Sequence, residues 1–125
     1  MNVTIKTIPH SEQRYETVGD WWEEKDGSLQ IRVSKLGNWK YEMLIAVHEL
    51  VEVLICKYRG ITTAQVDKFD MDYEKKRPFG SLDEPGDDPK APYRNEHCIA
   101  TGIERVLAAC LGVSWKKYES TLEKL

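Results

Sequence analysis

The segment 39–58 constrains the fold more than any other part of this 125-residue chain. It contains no glycine or proline, and it lies between Gly37 and Gly60, which mark a helix start and a helix stop. The sequence therefore predicts one long apolar helix at about 39–58, which we expect to be the core helix of the domain. Over its central stretch, 43–56, the ionisable side chains other than cysteine are His48, Glu49 and Glu52.

The residues before this helix predict a small β-sheet. Residues 3–8 and 29–34 alternate apolar and polar side chains, and Asp26-Gly27 is a strong hairpin signal between 17–24 and 29–34. Such alternation is typical of an antiparallel sheet with one face open to water. We therefore expect an α+β fold, with a small antiparallel sheet of about three strands at 3–34 covered by three to four helices.

The rest of the chain predicts further helices and one long loop. Helix signals place the helices at about 63–75, 93–111 and 115–125. The loop at 78–92 is rich in proline, glycine and acidic residues, and a loop of this length is usually a functional lid or a disordered strap. Because the length is close to the commonest domain size, we expect residues 1–125 to form a single domain.

Charge and composition limit the partners. With 18 basic and 21 acidic residues the formal charge is −3, which argues against a nucleic-acid partner. No apolar stretch approaches the roughly 20 residues that cross a bilayer, so no membrane is expected. We interpret Cys56, Cys98 and Cys110 as reduced core thiols, which favours a cytoplasmic location. The sequence is compatible with a protein or peptide partner, and it does not determine the oligomeric state.

The polar strip on the core helix has the spacing of a metal site. At 100° per residue, Glu52 lies about 40° from His48, so both side chains can reach one ion. An imidazole nitrogen and a carboxylate oxygen are both zinc ligands. Glu49 is turned about 100° away and would reach water instead, as a general base does. The alternative is that the strip is simply the solvent-exposed face of the helix.

The sequence Val47-His48-Glu49-Leu50-Val51-Glu52, on an apolar helix after a small sheet, resembles the active helix of zincin metallopeptidases. The zincin pattern is H-E-x-x-H, whereas this chain has H-E-x-x-E. The resemblance implies that His48 is a metal ligand and that Glu49 is the general base. Glu52 stands where the family has its second histidine, and a carboxylate there favours manganese or iron as alternatives to zinc.

A second resemblance covers most of the chain. The chain is similar to small uncharacterised phage and prophage proteins, and this resemblance implies a phage-encoded origin and a location in the cytoplasm of a bacterial host. This resemblance brings no activity with it. The stretches that carry it are 48–54 (HELVEVL), 84–89 (EPGDDP) and 91–97 (APYRNEH).

A catalytic zinc site needs a third protein ligand, and the helix at 93–111 supplies candidates. We expect His97 to be this ligand, with Glu96 and Glu104 as alternates. Two histidines and one carboxylate would also suit non-haem iron. Here too the alternative is a solvated strip formed by His97 and Glu104. The opposite side of this helix is expected to face the core: Ile99, Ile103, Val106 and Cys110.

Two functions follow from these patterns. The first is a zincin-like protein that binds a divalent metal, with metal-dependent hydrolase activity of the peptidase type. In it His48, Glu52 and His97 hold the ion and Glu49 is catalytic. The second is a non-catalytic, phage-encoded accessory protein that acts through protein–protein interaction.

Overall fold

The computed structural model describes residues 1–125 and has an α+β fold, as the sequence predicts. Three strands are followed by four helices, with single turns of 3-10 helix at His10–Glu12 and Pro85–Asp87. The strands are β1 (Val3–Ile8), β2 (Gly19–Glu23) and β3 (Leu29–Ser34). The helices are α1 (Trp39–Arg59), α2 (Thr63–Lys76), α3 (Arg94–Cys110) and α4 (Trp115–Glu123).

The sheet is mixed, whereas the sequence pattern suggested antiparallel pairing throughout. Its strand order is β1-β3-β2, with β3 in the centre. The hairpin pairs β2 antiparallel to β3, but β1 runs parallel to β3, with Ile5 opposite Ile31. Alternation along a strand fixes which side chains share a face, and it contains no information on the direction of the neighbouring strand.

Capping side chains explain why α1 and α2 begin where the sequence predicts. The side chain of Asn38 accepts hydrogen bonds from the backbone N–H groups of Lys40 and Tyr41 at the start of α1. α1 ends at Gly60, whose φ of 75° is the left-handed conformation that glycine adopts readily. A reciprocal capping box between Thr62 and Gln65 starts α2.

The hydrophobic core lies between the sheet and α1. Leu29, Ile31 and Val33 of β3 are fully buried, and on the helix side Leu44 and Val53 belong to the same cluster. α1 also packs along α3.

No single helix is long and apolar enough to cross a membrane, although α3 and α4 together, bent by 120°, reach that length and composition.

Candidate metal centre

The polar strip of α1 lies inside the protein. His48 is 8% exposed and Glu52 is 4% exposed, so the alternative that this strip is the solvent face is wrong. Apolar residues of the same helix lie outside instead, with Met43 38% exposed and Leu54 43% exposed. Hydrophobic periodicity alone points to the opposite orientation, because it assumes that the apolar arc is the buried one.

In α3, as in α1, the polar side is buried and the apolar side is exposed. His97 and Glu104 are 6% and 7% exposed, which overturns the alternative of a solvated strip on this helix. The expectation that the opposite side faces the core is also wrong. The residues on that side are exposed to solvent: Ile99, Ile103, Val106 and Cys110. The polar faces of α1 and α3 satisfy each other with ion pairs, and this allows them to be buried together.

Of the three cysteines, only Cys56 is a buried core thiol. Cys98 and Cys110 are exposed on α3, which corrects their interpretation as core residues. All three are free thiols.

One atom each from His48, Glu52 and His97 converges on a single point, and this cluster is hereafter the triad. His48 Nε2 is 3.2 Å from Glu52 Oε2 and 3.2 Å from His97 Nδ1. The distance between His97 Nδ1 and Glu52 Oε2 is 3.0 Å. Ligands about 2.0–2.1 Å from a tetrahedral zinc ion are separated by roughly 3.3 Å. The triad therefore has the spacing of three ligands of one small divalent ion, and it forms a buried group that could hold one.

The imidazole of His48 is oriented by Glu104. Its Nδ1 lies 2.8 Å from Glu104 Oε1, while the other oxygen of that carboxylate accepts a 2.6 Å hydrogen bond from the Tyr118 hydroxyl. A carboxylate beside Nδ1 favours the proton on that nitrogen, which leaves the lone pair of Nε2 directed at the triad. A second carboxylate behind a ligating histidine is a common feature of metal sites. Glu104 is thus placed behind a ligand and is not itself a member of the triad.

The carboxylate of Glu52 is oriented in a similar way. The indole N–H of Trp21, on β2, donates a 2.8 Å hydrogen bond to Glu52 Oε1. Trp21 is itself buried, so this bond is shielded from water. It occupies one carboxylate oxygen and leaves Oε2 for the triad, which suits monodentate ligation.

The third imidazole is held by the loop before α3, which we call the strap (residues 78–92). His97 Nε2 lies 3.2 Å from Glu84 Oε2 and 3.3 Å from Asp87 Oδ1. A proton on Nε2 is favoured between these carboxylates, so the lone pair of Nδ1 faces Glu52. These three strap and helix residues also form a second group with metal-ligand spacing, but Glu84 and Asp87 are exposed.

Burial and charge act against each other on the triad. Burial lowers the pKa of His48, but hydrogen bonds to Glu104 and Glu52 outweigh it and raise the pKa to about 11. For His97 the same competition, with Glu52 and Glu84 as partners, raises the pKa to about 10. Glu52 is also destabilised by burial, yet its two histidine partners lower its pKa. The carboxylates therefore favour positive charge at this point, which a proton or a divalent cation can provide.

Glu49 is half-buried beside the triad and lines the same cavity of about 520 Å³. Its carboxylate lies against Gly19 of β2, where a β-carbon would stand 2.5 Å from Glu49 Oε1. Burial, followed by the negative charge of Glu52, raises the pKa of Glu49 well above its usual value. A carboxylate with a raised pKa in a cavity is suited to exchange protons with a bound molecule.

The other alternate ligand, Glu96, lies outside the triad. It is buried, and the nearest cation is Arg59 at the end of α1, 3.7 Å away. Sequence reasoning identified the loop that contains Glu84, Gly86 and Asp87 only as a lid or strap, and it did not point to Trp21 or Tyr118 as parts of the site. Trp21 and Tyr118 look like ordinary core aromatics, and no periodicity exists in the strap that could have assigned its residues a position.

The chain was compared with protein-family models, with curated proteins and with solved structures, and no match was found. The geometry of the triad and its surroundings is therefore the basis for assigning a function.

Proposed function

We propose that this chain is a zincin-like protein that binds one divalent metal ion and has metal-dependent hydrolase activity of the peptidase type. The ion would be held by His48 Nε2, Glu52 Oε2 and His97 Nδ1. The observation that carries this proposal is the convergence of these three atoms at 3.0–3.2 Å in a buried position. Each ligand also has an oriented partner behind it, as metal ligands usually have.

Zinc is the metal that the ligands favour first. Two imidazoles and one carboxylate are the ligand set of several catalytic zinc sites, and three protein ligands leave a coordination position for water or substrate. Manganese and iron are the alternatives, because two histidines and a carboxylate are also a ligand set of non-haem iron.

In the proposed reaction, a bound divalent ion would supply Lewis acidity toward water and toward a carbonyl oxygen. The chain itself supplies the proton acceptor and the shaped cavity. Glu49 lines that cavity, and its carboxylate makes no hydrogen bond to another side chain that would compete with water. In its ionised form this carboxylate can accept a proton from the attacking water and return it to the leaving amine.

Elemental analysis of the tag-free protein tests the metal site. We expect close to one equivalent of zinc, manganese or iron in the wild type, and loss of this metal in both His48→Ala and His97→Ala. His10→Ala is the matched control, because His10 binds Ser34 and Glu16 outside the triad. A wild-type protein that contains no metal and gains no thermal stability from these ions would overturn the proposal.

The catalytic role of Glu49 has a separate test. Glu49→Gln should retain the metal but lose hydrolysis of a fluorogenic peptide library by at least about 100-fold, the lower end of general-base contributions. Full metal occupancy with no hydrolysis by the wild type would leave a metal-binding protein without this activity. Unchanged hydrolysis by Glu49→Gln would exclude Glu49 as the base.

The second candidate function is a non-catalytic accessory protein that acts through a protein partner. It is favoured by the apolar residues that α1 and α3 expose to solvent, such as Leu54 and Val106. The elemental analysis distinguishes the two candidates, because a protein of this second kind requires no metal.

A further inference from the structure

The outward faces of α1 and α3 are apolar, and they follow the same spacing. On each helix four apolar residues are separated by four, three and four positions, which is the spacing of a helix-packing seam. The α1 seam consists of Met43, Val47, Leu50 and Leu54. The α3 seam consists of Ile99, Ile103, Val106 and Cys110.

The α3 seam is not covered by the rest of the chain. The α1 seam is exposed at both ends, at Met43 and Leu54, whereas Val47 and Leu50 between them are half-buried. Ile99 is 45% exposed, Ile103 is 42% exposed and Val106 is 65% exposed on α3, while Leu54 is 43% exposed on α1. Single exposed apolar residues are common, but a continuous apolar face on two neighbouring helices usually marks an association surface.

Side-chain contacts show that α1 and α3 run antiparallel. Arg59 lies near Glu96 at one end, His48 binds Glu104 in the middle, and Lys40 donates to the carbonyl of Leu111 at the other end. When this antiparallel register is continued along both helices, each residue of the α1 seam lies at the same height as one residue of the α3 seam. The resulting four levels are Leu54 with Ile99, Leu50 with Ile103, Val47 with Val106, and Met43 with Cys110.

We propose that these seams form the interface of a homodimer, in which α1 and α3 pack against α1 and α3 of a second copy. An antiparallel helix pair with four apolar levels is half of a four-helix bundle. A twofold axis brings an identical half with the same levels, so this face is complementary to itself. The dimer does not depend on the proposed metal chemistry, because the seams lie on the opposite side of both helices from the triad.

The chemistry of the α3 face favours a second copy as the occupant. From Cys98 to Cys110 its exposed residues are uncharged apart from Arg105 at the edge, so pairing with itself places few like charges together. Gly102 and Ala109 are exposed between the larger side chains, and a β-carbon on Gly102 would meet nothing within 4 Å. Small residues beside large ones allow helices to interlock.

The size of the face is sufficient for a dimer. Two helices about 25 Å long and about 10 Å apart present a footprint of roughly 500 Å². Trp39 and Tyr58, 63% and 90% exposed near the ends of α1, extend it. Stable interfaces begin at roughly 600 Å² per partner, so the two seams reach this range together with the Trp39 and Tyr58 side chains.

Light scattering coupled to size-exclusion chromatography tests the dimer. We expect twice the 14.5 kDa chain mass for the wild type at micromolar concentration and the monomer mass for Val106→Glu and Ile103→Glu. Phe79→Glu is the matched control, because Phe79 is fully exposed outside the seams and should remain dimeric. Circular dichroism checks that each variant is folded, since a glutamate at an exposed position leaves the monomer intact.

A wild type that is monomeric up to roughly 100 µM, where even weak interfaces associate, would overturn the proposal. So would a dimer that folded Val106→Glu and Ile103→Glu variants retain. A monomeric wild type that binds anionic lipid vesicles, but loses this binding in Val106→Glu, would assign the seams to a membrane surface instead.

Discussion

The backbone of Gly86 lies directly against the imidazole ring of His97. A β-carbon on residue 86 would stand 2.5 Å from both Cγ and Nδ1 of that ring, a separation that real β-carbons do not show. Because Gly86 lies between Glu84 and Asp87, the strap holds His97 by a backbone contact as well as by two carboxylates. Any larger side chain at position 86 must displace either the strap or the ligand.

Gly86→Ala should therefore weaken metal binding. The ring of His97 would shift relative to Glu52, and a displaced or disordered partner of a ligand typically costs 10–100-fold in affinity. Competition with a fluorescent zinc chelator measures this change. Gly102→Ala is the matched control, because position 102 has open space around it and no contact with the triad. Equal affinities of wild type and Gly86→Ala would show that the strap does not position His97.

Glu104 provides the second prediction. Glu104→Gln keeps the volume of the side chain but removes the charge behind His48 Nδ1, so zinc affinity should fall by about 10–100-fold. Tyr118→Phe leaves that charge in place and removes only the hydrogen bond to Glu104, so the loss should be smaller. Glu119→Gln is the control, since Glu119 is exposed and binds Trp115. Similar losses in all three variants would argue against a specific role of Glu104.

Trp21 provides the third prediction. Trp21→Phe preserves an aromatic side chain in the core but removes the N–H that holds Glu52 Oε1. We expect a lower zinc affinity together with a lower free energy of unfolding in the absence of metal, because a buried carboxylate oxygen then lacks its donor. Isothermal titration and urea denaturation measure the two quantities. Trp22→Phe is the matched control, because the neighbouring indole binds Glu24 on the exposed side of the sheet. An unchanged affinity would show that the indole only fills space.

Local signals in the sequence were sufficient to predict the helices and strands of the fold. The glycines at positions 37 and 60 predict both ends of α1, and the observed helix agrees within one residue. The parallel pairing of β1 with β3 could not be predicted, because it depends on how the segment 9–18 crosses the sheet. Residues far apart in sequence determine this path.

The chemistry of the site was predictable only in part. Helical spacing was sufficient to propose His48 and Glu52 as neighbours, and the choice of His97 followed from the need for a third ligand. Which faces of α1 and α3 are buried was not predictable, because hydrophobic periodicity favours burial of Ile99 and Ile103. A polar cluster can be buried only when its ion pairs satisfy one another, and these pairs join residues about 50 positions apart.

Asp70 provides a prediction about pH. Its buried carboxylate accepts hydrogen bonds from the hydroxyls of Tyr15 and Tyr93, but burial dominates and raises its pKa to about 6. The folded protein therefore binds more protons than the unfolded chain between about pH 4 and pH 6. A raised carboxylate pKa destabilises the folded state as pH rises, so the contribution of Asp70 is most favourable below pH 4 and is lost above pH 6.

Asp70→Asn should remove this dependence. From pH 4 to pH 7 the wild type should lose roughly 2–3 kcal/mol of unfolding free energy relative to the variant, which is the shift of about two pKa units at 1.36 kcal/mol each. Urea denaturation in the presence of EDTA measures both proteins without metal. Asp72→Asn controls for the loss of a charge from α2, because Asp72 is half exposed and pairs only with Lys68. If the stability curves of wild type and Asp70→Asn run parallel, Asp70 ionises normally in the folded protein, and its two tyrosine partners fully offset its burial.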